Sequence, residues 1–107
     1  MIYDISARIT NDLPSLRVTE DLVVTINNRH KNIMAIRALE EENERKNEED
    51  KASEFEIIRK SLELLVGKEK AKIIEELDLP FNEYKELRTA IMEIAITGSL
   101  SSEDKPR

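Results

Sequence analysis

Residues 15–26 read SLRVTEDLVVTI. Leu16 and Val18 alternate with polar neighbours, and Leu22, Val24 and Ile26 alternate with Val23 and Thr25. Period-two patterning rich in β-branched residues predicts strands. Glu20-Asp21 is the natural reversal, although no Asn-Gly or Asp-Gly pair fixes its geometry. The reading is therefore a β-hairpin over 15–26. Before it, Pro14 stops whatever precedes. Residues 2–9 (IYDISARI) stay open: Ile2, Ile5 and Ile9 fit one helical face, but the segment is too short for its pattern to settle the matter. After the hairpin, Asn27-Asn28 forms a turn or helix cap, and the apolar period lengthens from two to between three and four.

Four helices follow from that longer period. The first covers about 31–45, opened by Ile33, Ile36 and Leu39. The second covers 52–66, with Phe55, Ile58, Leu62 and Leu65 on one face, and Gly67 is placed to end it in a left-handed conformation. The third covers 68–77, with Ala71, Ile74 and Leu77 inward. Leu79-Pro80 breaks it, because the residue before proline avoids helix and proline suits a first helical turn. The fourth covers 80–97, striped by Tyr84, Leu87, Ile91 and Ile94, with Leu87 and Ile91 expected in the core. Gly98 closes it. The predicted fold is α+β and mainly α: an N-terminal β-hairpin packed with a bundle of three to four helices. Residues 1–98 form a single domain, and the polar residues 99–107 are expected to be disordered.

The chain has 107 residues and a formal net charge of −6. The acidity is concentrated in residues 40–51 (EEENERKNEEDK), which hold seven acidic and three basic side chains and no apolar one. Such a block has no face to bury. It is either a solvated extension of the first helix or a connector, and a connector over 40–51 is the expectation.

Composition excludes more chemistry than it suggests. There is no cysteine, which removes disulfides, thiolate metal sites and cysteine nucleophiles. The two glycines, Gly67 and Gly98, stand far apart, which removes Gly-rich phosphate cradles. No apolar run reaches the roughly 18 residues of a membrane helix, and no signal-peptide pattern opens the sequence. The one histidine, His30, lies between Arg29 and Lys31 and reads as a surface residue. The acidic block lacks the spacing of a calcium loop, and Glu75, Glu76 and Asp78 read as a solvated helix end. Neither an enzyme nor a metal or cofactor site is expected, and a cytoplasmic location is.

Two helices carry more apolar residues than one face needs. Ile57 and Leu64 lie at about 200° and 180° from Phe55 at 100° per residue. On the fourth helix, Phe81, Met92 and Ile96 form a stripe beside the main one. These five residues are the candidate partner-binding positions; the alternative is that they belong to the core. A second reading is a small regulatory or nucleic-acid-associated protein, since 68–97 superficially resembles a helix-turn-helix. Its second helix sets Lys85 and Arg88 against Glu83, Glu86 and Glu93, a net negative element poorly suited to phosphates. The basic cluster of Arg29, Lys31 and Arg37 is small, so no nucleic acid is expected.

The string YDISARITNDLPSLRVTEDLVVTINNR, the acidic helical region, and the string ELDLPFNEYKELRTAIMEIAITG together resemble small tail assembly chaperones of long-tailed phages and prophages of Gram-positive bacteria. The likeness covers residues 3–98. It rests on Ile26-Asn27-Asn28 after a strand and on Leu79-Pro80 followed by Tyr84-Lys85. It implies a non-enzymatic protein that binds and solubilises the tape-measure protein while tail-tube protein polymerises around it. It implies a homo-oligomer in the host cytoplasm, absent from the mature virion. Family members are encoded just before the tape-measure gene, and many have a longer frameshifted form, which here would extend beyond Gly98. The family supplies no active-site residues to carry over.

Overall fold

The alternating pattern of residues 15–26 does form a hairpin. In a computed structural model that describes residues 1–9 and 12–100, β1 (Ser15–Thr19) pairs antiparallel with β2 (Leu22–Thr25), Leu16 opposite Val24. Leu22, Val24 and Ile26 are buried, Leu16 and Val18 are half-buried against the same core, and Val23 and Thr25 face out. A two-stranded ribbon is marginal alone, so this inward row is what holds it. The turn at Glu20-Asp21 is secured by side chains instead of by glycine. The Arg17 guanidinium donates to the Glu20 carbonyl at 2.8 Å, and the Asp21 N–H donates to Thr19 Oγ1 at 3.3 Å.

Helices α1 (His30–Arg45), α2 (Glu54–Val66), α3 (Lys68–Glu76) and α4 (Phe81–Thr97) follow, giving the α+β, mainly α architecture. Before the hairpin, Ser6–Arg8 makes a single 3-10 turn, and residues 1–9 bury no side chain. Helix α2 is the hub. It packs against α1, α3 and α4 and buries Ile58, Ser61, Leu62, Leu65 and Val66. At its start the Ser53 hydroxyl accepts the Glu56 N–H at 3.2 Å, a side-chain cap with acids in the first turn. At its end, carbonyls without an intrahelical partner need donors. Asn32 Nδ2 supplies one to Leu64 at 2.8 Å, and the Asn27 N–H supplies one to Leu65 at 2.7 Å. Asn32 also reaches the Asn27 carbonyl at 2.9 Å, so two asparagines bolt the hairpin and the start of α1 to the end of α2.

Gly67 alone links α2 to α3, at φ 89° and ψ 156°. The positive φ is as expected, but the ψ is extended, a region essentially restricted to glycine. No atom lies within 4 Å of a Cβ added there, so the cost of a side chain is backbone strain and not a clash. Gly67→Ala is expected to lower unfolding free energy by about 1–3 kcal/mol, read by urea denaturation. A loss below about 0.3 kcal/mol would contradict the glycine-only backbone assigned here. Gly98, at φ 81° and ψ 1°, is a left-handed cap whose N–H donates to the Ile94 carbonyl at 2.8 Å.

Five expectations need correction. Helix α1 stays regular through Arg45, so the connector between helices narrows from 40–51 to 46–53. Its base is closed by Asn43, whose Oδ1 accepts the Ala52 N–H at 2.8 Å. Hydrogen exchange should be fast over 47–50 and slow in α4; equal protection would refute an unpacked connector. Phe55 is exposed, not core, because α2 begins only at Glu54 and its first turn lies at the edge of the bundle. Leu77 is exposed because α3 has already ended and it occupies the C-cap. Leu87 is half-buried, while Ile91 on the same stripe is fully buried. Leu100 packs against the core, so residues 99–107 are not uniformly a free tail. Residues 101–107 of that expected tail lie outside the described residues.

Candidate functional site

The antiparallel pair α1 and α2 leaves an open apolar groove of about 610 Å³. One wall is a helical stripe of α1, Ala35, Ala38, Leu39 and Glu42, at spacings of three and four. The other is Lys60, Glu63 and Leu64 of α2, with Lys68 opening α3. The two alanines keep the α1 wall low. Leu39 and Leu64 supply the larger apolar surface, and Leu64 remains 37% exposed. From Ala35 to Glu42 the wall runs about 10 Å at 1.5 Å per residue, the length of two helical turns. Charges of both signs sit at both ends, Glu63 and Lys68 beside Leu64 at one and Glu42 with Lys60 at the other. An apolar floor with a charged rim accepts an amphipathic helix through anchors at i, i+3 or i+4, and i+7.

The five candidate positions divide among separate places. Leu64 lies in the groove. Ile57 is half-buried beside it, in a recess that shares Leu39 and Lys60. Met92 packs partly against the core and borders a small polar hollow with Arg37, Glu40 and Arg88. Phe81 and Ile96 are exposed on α4, at 44% and 51%, and belong to neither. Phe81 joins Phe55 and Tyr84 in an aromatic cluster with ring centroids 6.3 and 5.7 Å from Phe55. Lys85 Nζ stands 5.4 Å from the Phe81 ring centre.

Tyr84 is the buried member of that cluster. Its hydroxyl donates to Glu75 Oε1 at 3.1 Å. Burial, then the negative charge of Glu75, pushes its pKa from 10.0 up to about 12. The folded state thus favours the protonated phenol, a contribution present below pH 10 and lost as pH rises towards about 12. Denaturation midpoints should fall across that window in the parent and fall less in Tyr84→Phe. Parallel curves would contradict the hydrogen-bonded phenol.

The basic residues of α4 are engaged in holding the fold. Lys85 Nζ meets Glu54 at 2.9 Å, and Arg88 spans two helices. The Arg88 guanidinium donates from Nε to Ser61 Oγ at 3.2 Å and from Nη2 to Glu40 Oε1 at 3.1 Å. Ser61 is fully buried and donates onward to the Ile58 carbonyl at 2.8 Å. Residues already paired to carboxylates have less to offer phosphates, which weakens the helix-turn-helix reading.

Sequence reasoning missed Ala35 and Ala38, because a groove wall made of small residues carries no hydropathy signal; their i, i+3 spacing was the available clue. It also missed the Arg88 clamp, whose partners are 48 and 27 residues away. Among the described residues no cluster of His, Cys, Asp or Glu could hold a metal ion, and no helix is long and apolar enough to cross a membrane. No family model, curated protein or solved structure matches the chain.

Proposed function

We propose that the chain is a non-enzymatic tail assembly chaperone that holds amphipathic helical segments of a tape-measure protein in the α1–α2 groove. The observation that carries this reading is the groove itself: two turns long, apolar on its floor, charged at its ends and open. The sequence resemblance over residues 3–98 supports it. A net charge of −6 suits a protein that must stay soluble while holding apolar cargo. Within this proposal the chain self-associates, meets tail-tube protein during assembly, works in the host cytoplasm and leaves before the virion matures. Ile57 and Leu64 are the contact residues nearest the cargo; Phe81, Met92 and Ile96 are secondary.

Co-expression with a tape-measure protein tests the role. The tape-measure protein should move from the insoluble to the soluble fraction. Equal solubility with and without this chain would refute the proposal. Duplex DNA binding at physiological salt, in its place, would support the regulatory reading.

A further inference from the structure

Residues 3–9 alternate without exception: Tyr3, Ile5, Ala7 and Ile9 are apolar, and Asp4, Ser6 and Arg8 are polar. That is the pattern of a strand with one buried face, yet the segment buries no side chain. Tyr3 is 87% exposed, Ile5 56% and Ile9 66%. The bonds that shape it are local. Asp4 Oδ1 accepts the Ser6 N–H at 2.8 Å, and the Ile5 carbonyl accepts the Arg8 N–H at 2.8 Å.

The hairpin, in turn, has an edge without a strand. The Ile26 N–H donates to the Pro14 carbonyl at 2.8 Å, so residues 14 and 26 are a hydrogen-bonded pair. In the register that sets Ser15 opposite Thr25 and Leu16 opposite Val24, the main-chain groups of Leu16 then face β2, and those of Ser15 and Arg17 point away from it. Among the described residues nothing pairs with those outward groups. On the other side, the outward Asn27 N–H beyond β2 is tied to the Leu65 carbonyl at 2.7 Å. Burial falls off in the same direction. Leu22, Val24 and Ile26 are buried, whereas Leu16 and Val18 on β1 remain half-buried. The open side of the ribbon is β1, and an open edge is a liability that folded proteins blunt or cover.

We propose that residues 5–9 are a strap that closes antiparallel on the free edge of β1 in the same chain, turning the two-stranded ribbon into a three-stranded meander. One register meets the constraints. The apolar side chains must share the face of Leu16 and Val18, which sets odd residues of the strap opposite even residues of β1. Ile9 opposite Pro14 leaves the four residues 10–13 for the reversal, a common hairpin length, with Asn11-Asp12 at its centre. Ala7 then stands opposite Leu16, and Ile5 comes to Val18 at the irregularity between Arg17 and Thr19. Ser6 and Arg8 fall opposite Arg17 and Ser15 and exchange with them the main-chain hydrogen bonds that the edge lacks. The local turn of the strap is given up, and its exposed bonds have little net worth. A four-residue tether holds the strap at about millimolar effective concentration, which favours its own β1 over that of a second copy. Closure sets whether the β1 edge is open to an extended segment of another chain, whatever the α1–α2 groove holds.

Amide exchange in the full chain reads the closure. The Ser15 and Arg17 N–H groups should exchange at least about fivefold slower in the parent than in Arg8→Pro, which removes a ladder donor. The Leu16 and Val24 N–H groups, which bond across the hairpin, should exchange alike in the two. Equal exchange at Ser15 and Arg17, or a change of the same size at Leu16 and Val24, would overturn the proposal. The chain lacks cysteine, so a disulfide traps the register. Ala7→Cys with Leu16→Cys sets two thiols on an opposed, non-hydrogen-bonded pair, with Cα atoms about 4.5 Å apart and within the span of a disulfide. Dilute oxidation should give a monomer with an internal disulfide. Ala7→Cys with Arg17→Cys, one residue out of register, should yield at least about tenfold less of it. A covalent dimer would mean that the strap pairs with a second copy, no disulfide that it does not reach β1, and equal yields that it has no register there; each overturns the proposal.

Discussion

Replacing Ile91 by Ala is expected to lower the unfolding free energy by about 2–5 kcal/mol, a large share of what a small domain has. Ile91 is fully buried on the inner face of α4, beside Ile94 and Ala95 and within the core that includes Leu62 and Leu65. Its loss leaves a cavity that the three elements packed around α2 cannot close without moving one another. Leu87, one turn earlier on the same stripe, is the internal control. It is half-buried, so Leu87→Ala should cost about half as much, since less surface leaves water when it packs. Urea denaturation of the two variants reads the difference. Equal costs would place Leu87 in the core and shift the helical phase of α4.

Arg88→Ala should cost about 1.5–3 kcal/mol, the range for hydrogen bonds to charged groups. The side chain is only 19% exposed, and it ties α4 to both α1 and α2. Its removal strips the donor from buried Ser61 Oγ and leaves Glu40 without its cation. Arg88→Lys should not restore stability, because one ammonium lacks the planar fork that reaches Ser61 from Nε and Glu40 from Nη2 together. Thermal denaturation checks this; a fully stable Arg88→Lys protein would reduce the clamp to a simple ion pair of little worth.

Much of the fold was legible in the sequence because its signals are local. The period-two run of Leu22, Val24 and Ile26, Gly67 and Gly98 at helix ends, and the Leu79-Pro80 break each act within a few residues of themselves. Phe55 and Leu77 were misread because both fit the periodicity of a buried face but lie at helix ends, where the neighbouring helices no longer cover them. Pattern gives the direction of a side chain, not the extent of the surface it meets. The groove was half legible. Ile57 and Leu64 were signalled by excess apolar character on α2, whereas the opposing wall of Ala35 and Ala38 carries no such excess. The bolts made by Asn27, Asn32 and Arg88 join residues distant in sequence, and no spacing rule announces them.

The most direct measurement of the central claim is the affinity of an amphipathic helical segment of the tape-measure protein, followed by fluorescence anisotropy, for the parent chain and for Leu64→Glu. Leu64 is exposed enough for the substitution to leave the fold intact, as circular dichroism and an unchanged denaturation midpoint would show. A carboxylate there, with Lys60 and Lys68 in the same lining, would set a hydrated charge where the bound helix needs an apolar contact. Binding to the parent and at least about tenfold weaker binding to folded Leu64→Glu is the predicted result. Equal affinity for the two, or a loss produced only by Phe81→Ser or Ile96→Ser, would contradict the assignment of the α1–α2 groove as the site that holds the client.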